Sequence, residues 1–131
     1  MSWGRETQLQ QAAEDVAPPG CARYTAVLGK PLGLVLEERK SGGIFVAEVQ
    51  VGGNAERDGQ ISAGDELLAT SGITHTREMQ YQDNIVKTGE TVVRLTCRGE
   101  NFNTVMAAIG SHQAHQKVTL EFQRCDPNQK Q

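Results

Sequence analysis

No apolar run in the sequence approaches the ~18 residues a membrane-spanning helix needs, and Met1 to Gln11 lacks the apolar centre of a secretory leader. Basic stripes are also missing. With a formal net charge of −3, the chain is a poor match for nucleic acid or an anionic membrane surface. Cysteine is scarce: Cys21, Cys97 and Cys125 are odd in number, widely spaced and without a Cys-x-x-Cys pair. That argues against a zinc site built from them and fits ordinary reduced thiols in an intracellular protein. If one disulfide forms, Cys97 with Cys125 is the expected pairing, provided their strands are neighbours.

Catalytic signatures are absent as well. There is no Gly-x-Ser-x-Gly elbow, no phosphate loop with a lysine and no dinucleotide fingerprint. His112 and His115 have no carboxylate partner at metal spacing and read as part of a solvated loop, and His75 is isolated in a polar stretch. Asp58, Asp65 and Glu66 fall at turn and helix positions rather than as a working carboxylate pair. No enzyme activity, cofactor or metal is therefore expected.

What is present fits one domain with polar ends: 131 residues, of which 37% are hydrophobic. Residues 1–21 read as a polar arm. Leu9, Ala12, Ala13 and Val16 fall at helical spacing within Glu6–Val16, and Pro18-Pro19-Gly20 ends the segment. Strands are expected at Tyr24–Leu28, Leu34–Glu38 and Ile44–Val51, from their β-branched and alternating content. A short helix opens at Gly52-Gly53-Asn54 and closes at Gly59, and Glu66–Thr70 is a further strand ending at Gly72. Between residues 74 and 100 the pattern predicts an inserted hairpin, with Lys87–Glu90 turning Ile85-Val86 back onto Thr91–Cys97. Phe102, Val105, Met106 and Ile109 then mark one face of a longer helix, with Asn101 as N-cap and Gly110 as C-cap. Lys117–Gln123 alternates as a last half-buried strand, and residues 125–131 are a polar tail. The sum is a mainly β fold, a small partly open barrel or sandwich capped by a short and a longer helix.

The run Gly43–Val49, Gly52–Ile61 and Ala63–Leu68 resembles the central third of a PDZ domain in order and spacing. Upstream, Pro31-Leu32-Gly33-Leu34 resembles the family's carboxylate-binding loop. The 102–109 helix and the 118–122 strand resemble its end, so the likeness spans residues 22–124. The segment after Gly72-Ile73 departs from the pattern, since the family reaches its long helix sooner. An earlier helix at Glu78–Val86 would restore the usual spacing, but Tyr81-Gln82-Asp83-Asn84 has a poor apolar stripe and low helix propensity. Insertions of this kind resemble those of PDZ-like proteins of plant and algal plastids. The expected compartment is intracellular, cytoplasmic on the reading of the thiols or plastid on that likeness.

The resemblance implies a protein-interaction module that takes the C-terminal tail of a partner as an added strand. Lys30, Pro31, Leu32, Gly33 and Leu34 would receive the carboxylate, with Gly33 allowing the backbone nest and Lys30 adding attraction. Val35 and Leu36 would continue the pairing strand. Phe102, Val105, Met106 and Ile109 would face it from the helix. Where family members that read Ser or Thr two residues upstream carry a His, this chain has Phe102, which implies a hydrophobic-x-hydrophobic-COOH ligand. Two other readings stay open. In one, the module is structural or autoinhibited, its groove filled by residues 1–20 or the 74–100 hairpin. In the other, it is a regulatory fragment of a larger protease or scaffold.

Overall fold

The computed structural model describes residues 17–75, 78–81, 84–87 and 89–125. The helical reading of Glu6–Val16 and the tail after Cys125 lie outside them. Among the described residues, eight strands and two helices follow in chain order: β1 (Cys21–Leu28), β2 (Leu34–Glu38), β3 (Ile44–Val49), α1 (Asn54–Asp58), β4 (Glu66–His75), β5 (Glu78–Tyr81), β6 (Asn84–Lys87), β7 (Glu90–Thr96), α2 (Phe102–Gly110) and β8 (Val118–Cys125). The main sheet runs β1-β8-β4-β3-β2, with β7 added to β4. This is the mainly β, two-helix architecture expected from the sequence.

Alternation places the core. Val118, Leu120 and Phe122 of β8 are fully buried, and they meet Ala26 and Leu28 of β1, Ile44 and Val46 of β3 and Leu67 of β4. Burying each large side chain contributes about 1.5–3 kcal/mol. From α2 come Val105 and Ile109, spaced one helical turn apart. Asn101 caps that helix as expected, its side chain accepting the Asn103 N–H at 2.8 Å. The helix runs through Gly110, and Ser111 takes the C-cap position. α2 lies against β4 at Gly72, where a Cβ would stand 3.4 Å from the Ala108 methyl, in van der Waals contact. The Ser111 hydroxyl then accepts the Ile73 N–H of β4 at 2.8 Å.

The insertion is built differently from the expected hairpin. β4 does not stop at Gly72 but continues to His75, and β7 pairs with that extension from Ala69↔Thr96 to His75↔Glu90. The Ile85-Val86 segment pairs instead with β5, through Met79↔Val86 and Gln80↔Ile85. The physical reason is length. The β-branched Ile73 and Thr74 extend β4 into a partner for all of β7, which a two-residue apolar step cannot offer.

The cysteine expectation is overturned. Cys21 and Cys125 stand opposite each other in the β1/β8 register and form a disulfide, whereas Cys97 is free and buried. Reduced thiols throughout, and the Cys97–Cys125 pairing, are both excluded. The first and last strands of the domain are neighbours, and spacing along the chain gave no sign of it. Burial pushes the Cys97 thiol up to about 12, against the pull of the nearby Arg94. It is therefore no nucleophile at neutral pH.

Beside the cystine, a polar cluster joins the same two strands to the turn before β4. Asp65 is buried, accepts the Ser62 N–H at 3.1 Å and the Tyr24 hydroxyl, and holds Arg124 through two hydrogen bonds of 2.9 and 2.8 Å. Tyr24 in turn stacks on Phe122 with ring centroids 5.3 Å apart. Burial works to raise the Asp65 carboxyl. The bonds from Arg124, Tyr24 and Ser62 outweigh it and hold the group below the usual carboxylate range.

Two expectations follow. Reducing the cystine, or replacing Cys21 and Cys125 together by alanine, should lower stability by about 2–5 kcal/mol, because the bond closes a loop spanning most of the chain. Urea unfolding with and without dithiothreitol measures this. For Asp65 the folded pKa lies below the unfolded value of about 3.9, so its contribution is present above that value and is lost as pH falls through the folded one. Asp65→Asn should cost about 2 kcal/mol at pH 7. It should also make stability less dependent on pH between about 5 and 2, as followed by denaturant titrations across that range.

Candidate functional site

The loop between β1 and β2 is held by its carbonyl oxygens. Leu32 C=O accepts the Ala55 N–H at 2.8 Å and Gly33 C=O accepts the Gln50 N–H at 2.9 Å. Asn54 Nδ2 donates to the carbonyls of Gly29 and Pro31 at 3.0 and 2.8 Å. Because a trans peptide carries its N–H opposite its C=O, fixing the carbonyls of Pro31, Leu32 and Gly33 turns the N–H groups of Leu32, Gly33 and Leu34 the other way. Among the described residues, those of Leu32 and Gly33 donate to nothing within the chain. Successive N–H groups aimed to one side form an anion nest.

Gly33 makes this backbone path possible. Its φ is +81°, a left-handed conformation, and a Cβ there would stand 3.0 Å from Gly53 Cα. The contact is reciprocal: a Cβ on Gly53 would stand 2.9 Å from Gly33 Cα. Loop and α1 thus touch backbone to backbone. The Lys30–Pro31 peptide is cis.

β2 follows the nest directly and is the terminal strand of the sheet, paired on one side with β3 and open on the other among the described strands. An extended chain has a ready partner in such an edge. Leu32, Leu34, Leu36 and Phe102 are half-buried and pack against the core. Met106 is 40% exposed and Val35 38%. These side chains keep surface available to a ligand. Val105 has none and Ile109 keeps 7%, so of the helix residues expected at the site Val105 serves the core and Ile109 nearly so.

Lys30 does more than lend charge. Its ammonium donates to the His112 carbonyl at 2.8 Å, tying the loop to the end of α2. His112 itself corrects the expectation of a solvated loop: it is 3% exposed. Its Nδ1 lies 2.9 Å from the Ile109 carbonyl, so that nitrogen carries the proton, and Nε2 lies 2.7 Å from the Ser71 hydroxyl. The Ser71 oxygen also accepts the Thr119 N–H at 3.0 Å. Sealed in this way, the Ser71–His112 pair joins α2 to β4 and β8 and presents no face to a substrate. His115 is exposed, and among the described residues no group of three or more His, Cys, Asp or Glu is placed to hold a metal.

Sequence reasoning missed Asn54, Gln50 and Ala55 as supports of the loop. The Gly-Gly-Asn start of α1 marks a helix entry, but nothing in it announces a bond to a carbonyl more than twenty residues earlier.

A model of the PDZ domain matches residues 24–98, more than half of the chain. The crystal structure of the second PDZ domain of Dlg1 from the choanoflagellate Monosiga brevicollis is similar in fold. It has 15% sequence identity and a TM-score of 0.51, and the match covers 77% of this chain and 90% of that one. No curated protein sequence matches the chain. The extended sheet, the two helices and the 24–98 match agree: the chain belongs to the PDZ-domain family, whose members are protein-interaction domains.

Proposed function

We propose that this domain binds the C-terminal tail of a partner protein, with the terminal carboxylate in the Leu32–Leu34 nest and the preceding residues added as an antiparallel strand to β2. The observation that carries this reading is the pair of unpartnered N–H groups of Leu32 and Gly33 beside an open sheet edge. An incoming carboxylate would accept from both donors through charge-assisted hydrogen bonds. Lys30 holds the loop to the end of α2 through the His112 carbonyl and adds a positive charge at the loop's start.

Selectivity is assigned to the side chains that keep surface. The last ligand residue meets Leu32, Leu34, Leu36 and Met106, which favours Val, Leu or Ile. Two residues upstream the ligand meets Phe102, which offers no hydrogen bond and favours an apolar partner. The preferred ligand is therefore hydrophobic-x-hydrophobic-COOH, and the domain acts as an adaptor rather than as an enzyme. Affinity of such short peptides is expected in the micromolar range, about −8 kcal/mol. The Cys21–Cys125 cystine favours a compartment that keeps thiols oxidised over the reducing cytosol.

A fluorescence-polarisation screen of random C-terminal peptides, each hit repeated as its C-terminal amide, tests the proposal. Hits ending hydrophobic-x-hydrophobic that weaken at least tenfold on amidation are the expected result. Equal binding of acid and amide would sink the carboxylate reading. Silence from a folded protein that is restored by deleting residues 1–16 would instead show an internally filled groove. In a second experiment Phe102→His should raise affinity for ligands with Ser or Thr two residues from the end, relative to those with Leu there, by about tenfold. An unchanged ratio would remove Phe102 from the specificity role.

A further inference from the structure

The loop that would receive the carboxylate is short, and most of what orients it comes from backbone N–H groups of Gln50 and Ala55. One contribution comes from a side chain. Asn54, the first residue of α1, sends both hydrogens of its amide to loop carbonyls, Gly29 C=O at 3.0 Å and Pro31 C=O at 2.8 Å. Its oxygen accepts Arg57 Nη2 at 2.9 Å, and Arg57 also donates to Gly52 C=O at 2.8 Å. This set of partners fixes which end of the amide is nitrogen, since two carbonyls accept from one end and a guanidinium donates to the other.

The two carbonyls flank Lys30 and Pro31. Pro31 has no N–H to donate, so its carbonyl is the backbone group through which that residue can be held. The Pro31 carbonyl shares its peptide plane with the Leu32 N–H, and holding the oxygen toward α1 points that N–H away from it. The Gly29 bond fixes the chain just ahead of the cis peptide, where Lys30 leaves toward His112.

We infer that Asn54 is a positioning residue for the ligand carboxylate: its amide clamps Gly29 and Pro31 and thereby aims the Leu32 N–H into the nest. This rests on the carboxylate-binding reading above. Asn54 touches no ligand atom in this arrangement; it acts through the loop. Arg57, through the Asn54 oxygen, keeps the amide from turning over.

The test compares wild type with Asn54→Ala and Asn54→Asp. Alanine is a strong helix former, so the first turn of α1 should persist. Aspartate keeps the shape but presents oxygens to two carbonyls, so it should be worse than alanine. Two readouts are needed. In the ligand-free protein, hydrogen exchange at the Ala55 amide, which is bonded to Leu32 C=O, should quicken about tenfold in Asn54→Ala and more in Asn54→Asp, with the thermal midpoint little changed. With the tightest peptide from the screen, Asn54→Ala should weaken the acid about tenfold and the amide less than twofold. Equal losses for acid and amide would reduce Asn54 to a structural role, and unchanged exchange at Ala55 would overturn the clamp. If wild type itself fails to distinguish acid from amide, the carboxylate reading falls. Exchange at Ala55 then decides by itself whether Asn54 orders the loop.

Discussion

Three consecutive peptide planes set the shape of the loop ahead of β2. The carbonyls of Pro31, Leu32 and Gly33 are each bonded to the segment Gln50–Ala55. A planar peptide cannot satisfy its oxygen on one side without turning its hydrogen to the other. The chemistry of the site is therefore created indirectly, by saturating the acceptors and leaving the donors. The reciprocal glycine contact at Gly33 and Gly53 is the steric condition for this, because either Cβ would fall about 3 Å from the opposing backbone. On the proposed reading, side chains lining the strand and helix would change which peptide fits, while the backbone would supply the anion site.

The remainder of the fold keeps those planes in place. Gln50 follows β3 and Asn54 begins α1, so the loop depends on the turn that joins them, where Gly53 N–H returns to Gln50 C=O at 3.2 Å. α1 packs against β1, and β1 is fixed along its length to β8. At the far end of that pair the cystine and the Tyr24–Asp65–Arg124 cluster stop the two strands from separating. The edge strand that would take a ligand, β2, carries neither device. The strongest covalent and ionic ties thus sit at the opposite end of the sheet order from the open edge, which leaves β2 free to accept another strand.

Local features were legible in the sequence and distant ones were not. The alternation of Val118, Leu120 and Phe122, the period of Phe102, Val105 and Ile109 and the cap at Asn101 all predict what is found, because each rests on neighbours within a few residues. The likeness of Pro31-Leu32-Gly33-Leu34 to a carboxylate loop pointed to a stretch where, among the described residues, the Leu32 and Gly33 N–H groups have no acceptor. The Cys21–Cys125 bond, the pairing of β7 with the extension of β4 and the burial of His112 all depend on segments meeting across dozens of residues. Spacing alone is silent about them. Val105 shows a subtler limit: an apolar stripe says which face of a helix is covered, not whether the core or a ligand covers it.

The buried histidine bears on how the two walls of the groove stay in register. β2 and α2 belong to separate parts of the chain, and the loop leading into β2 reaches the end of α2 through Lys30 and the His112 carbonyl. A bond to a free loop end would hold little. Here the same residue is anchored through its ring to Ile109 and Ser71, and Ser71 is bonded onward to the backbone of β8. Gly72, next to Ser71, faces Ala108 of α2, whose methyl would stand 3.4 Å from a Cβ placed there. Lys30 therefore grips a point that β4, β8 and α2 already share. This chain of contacts, rather than a flexible lysine alone, ties the loop before β2 to α2, so under the proposed reading a ligand would meet two sides held in place before it arrives.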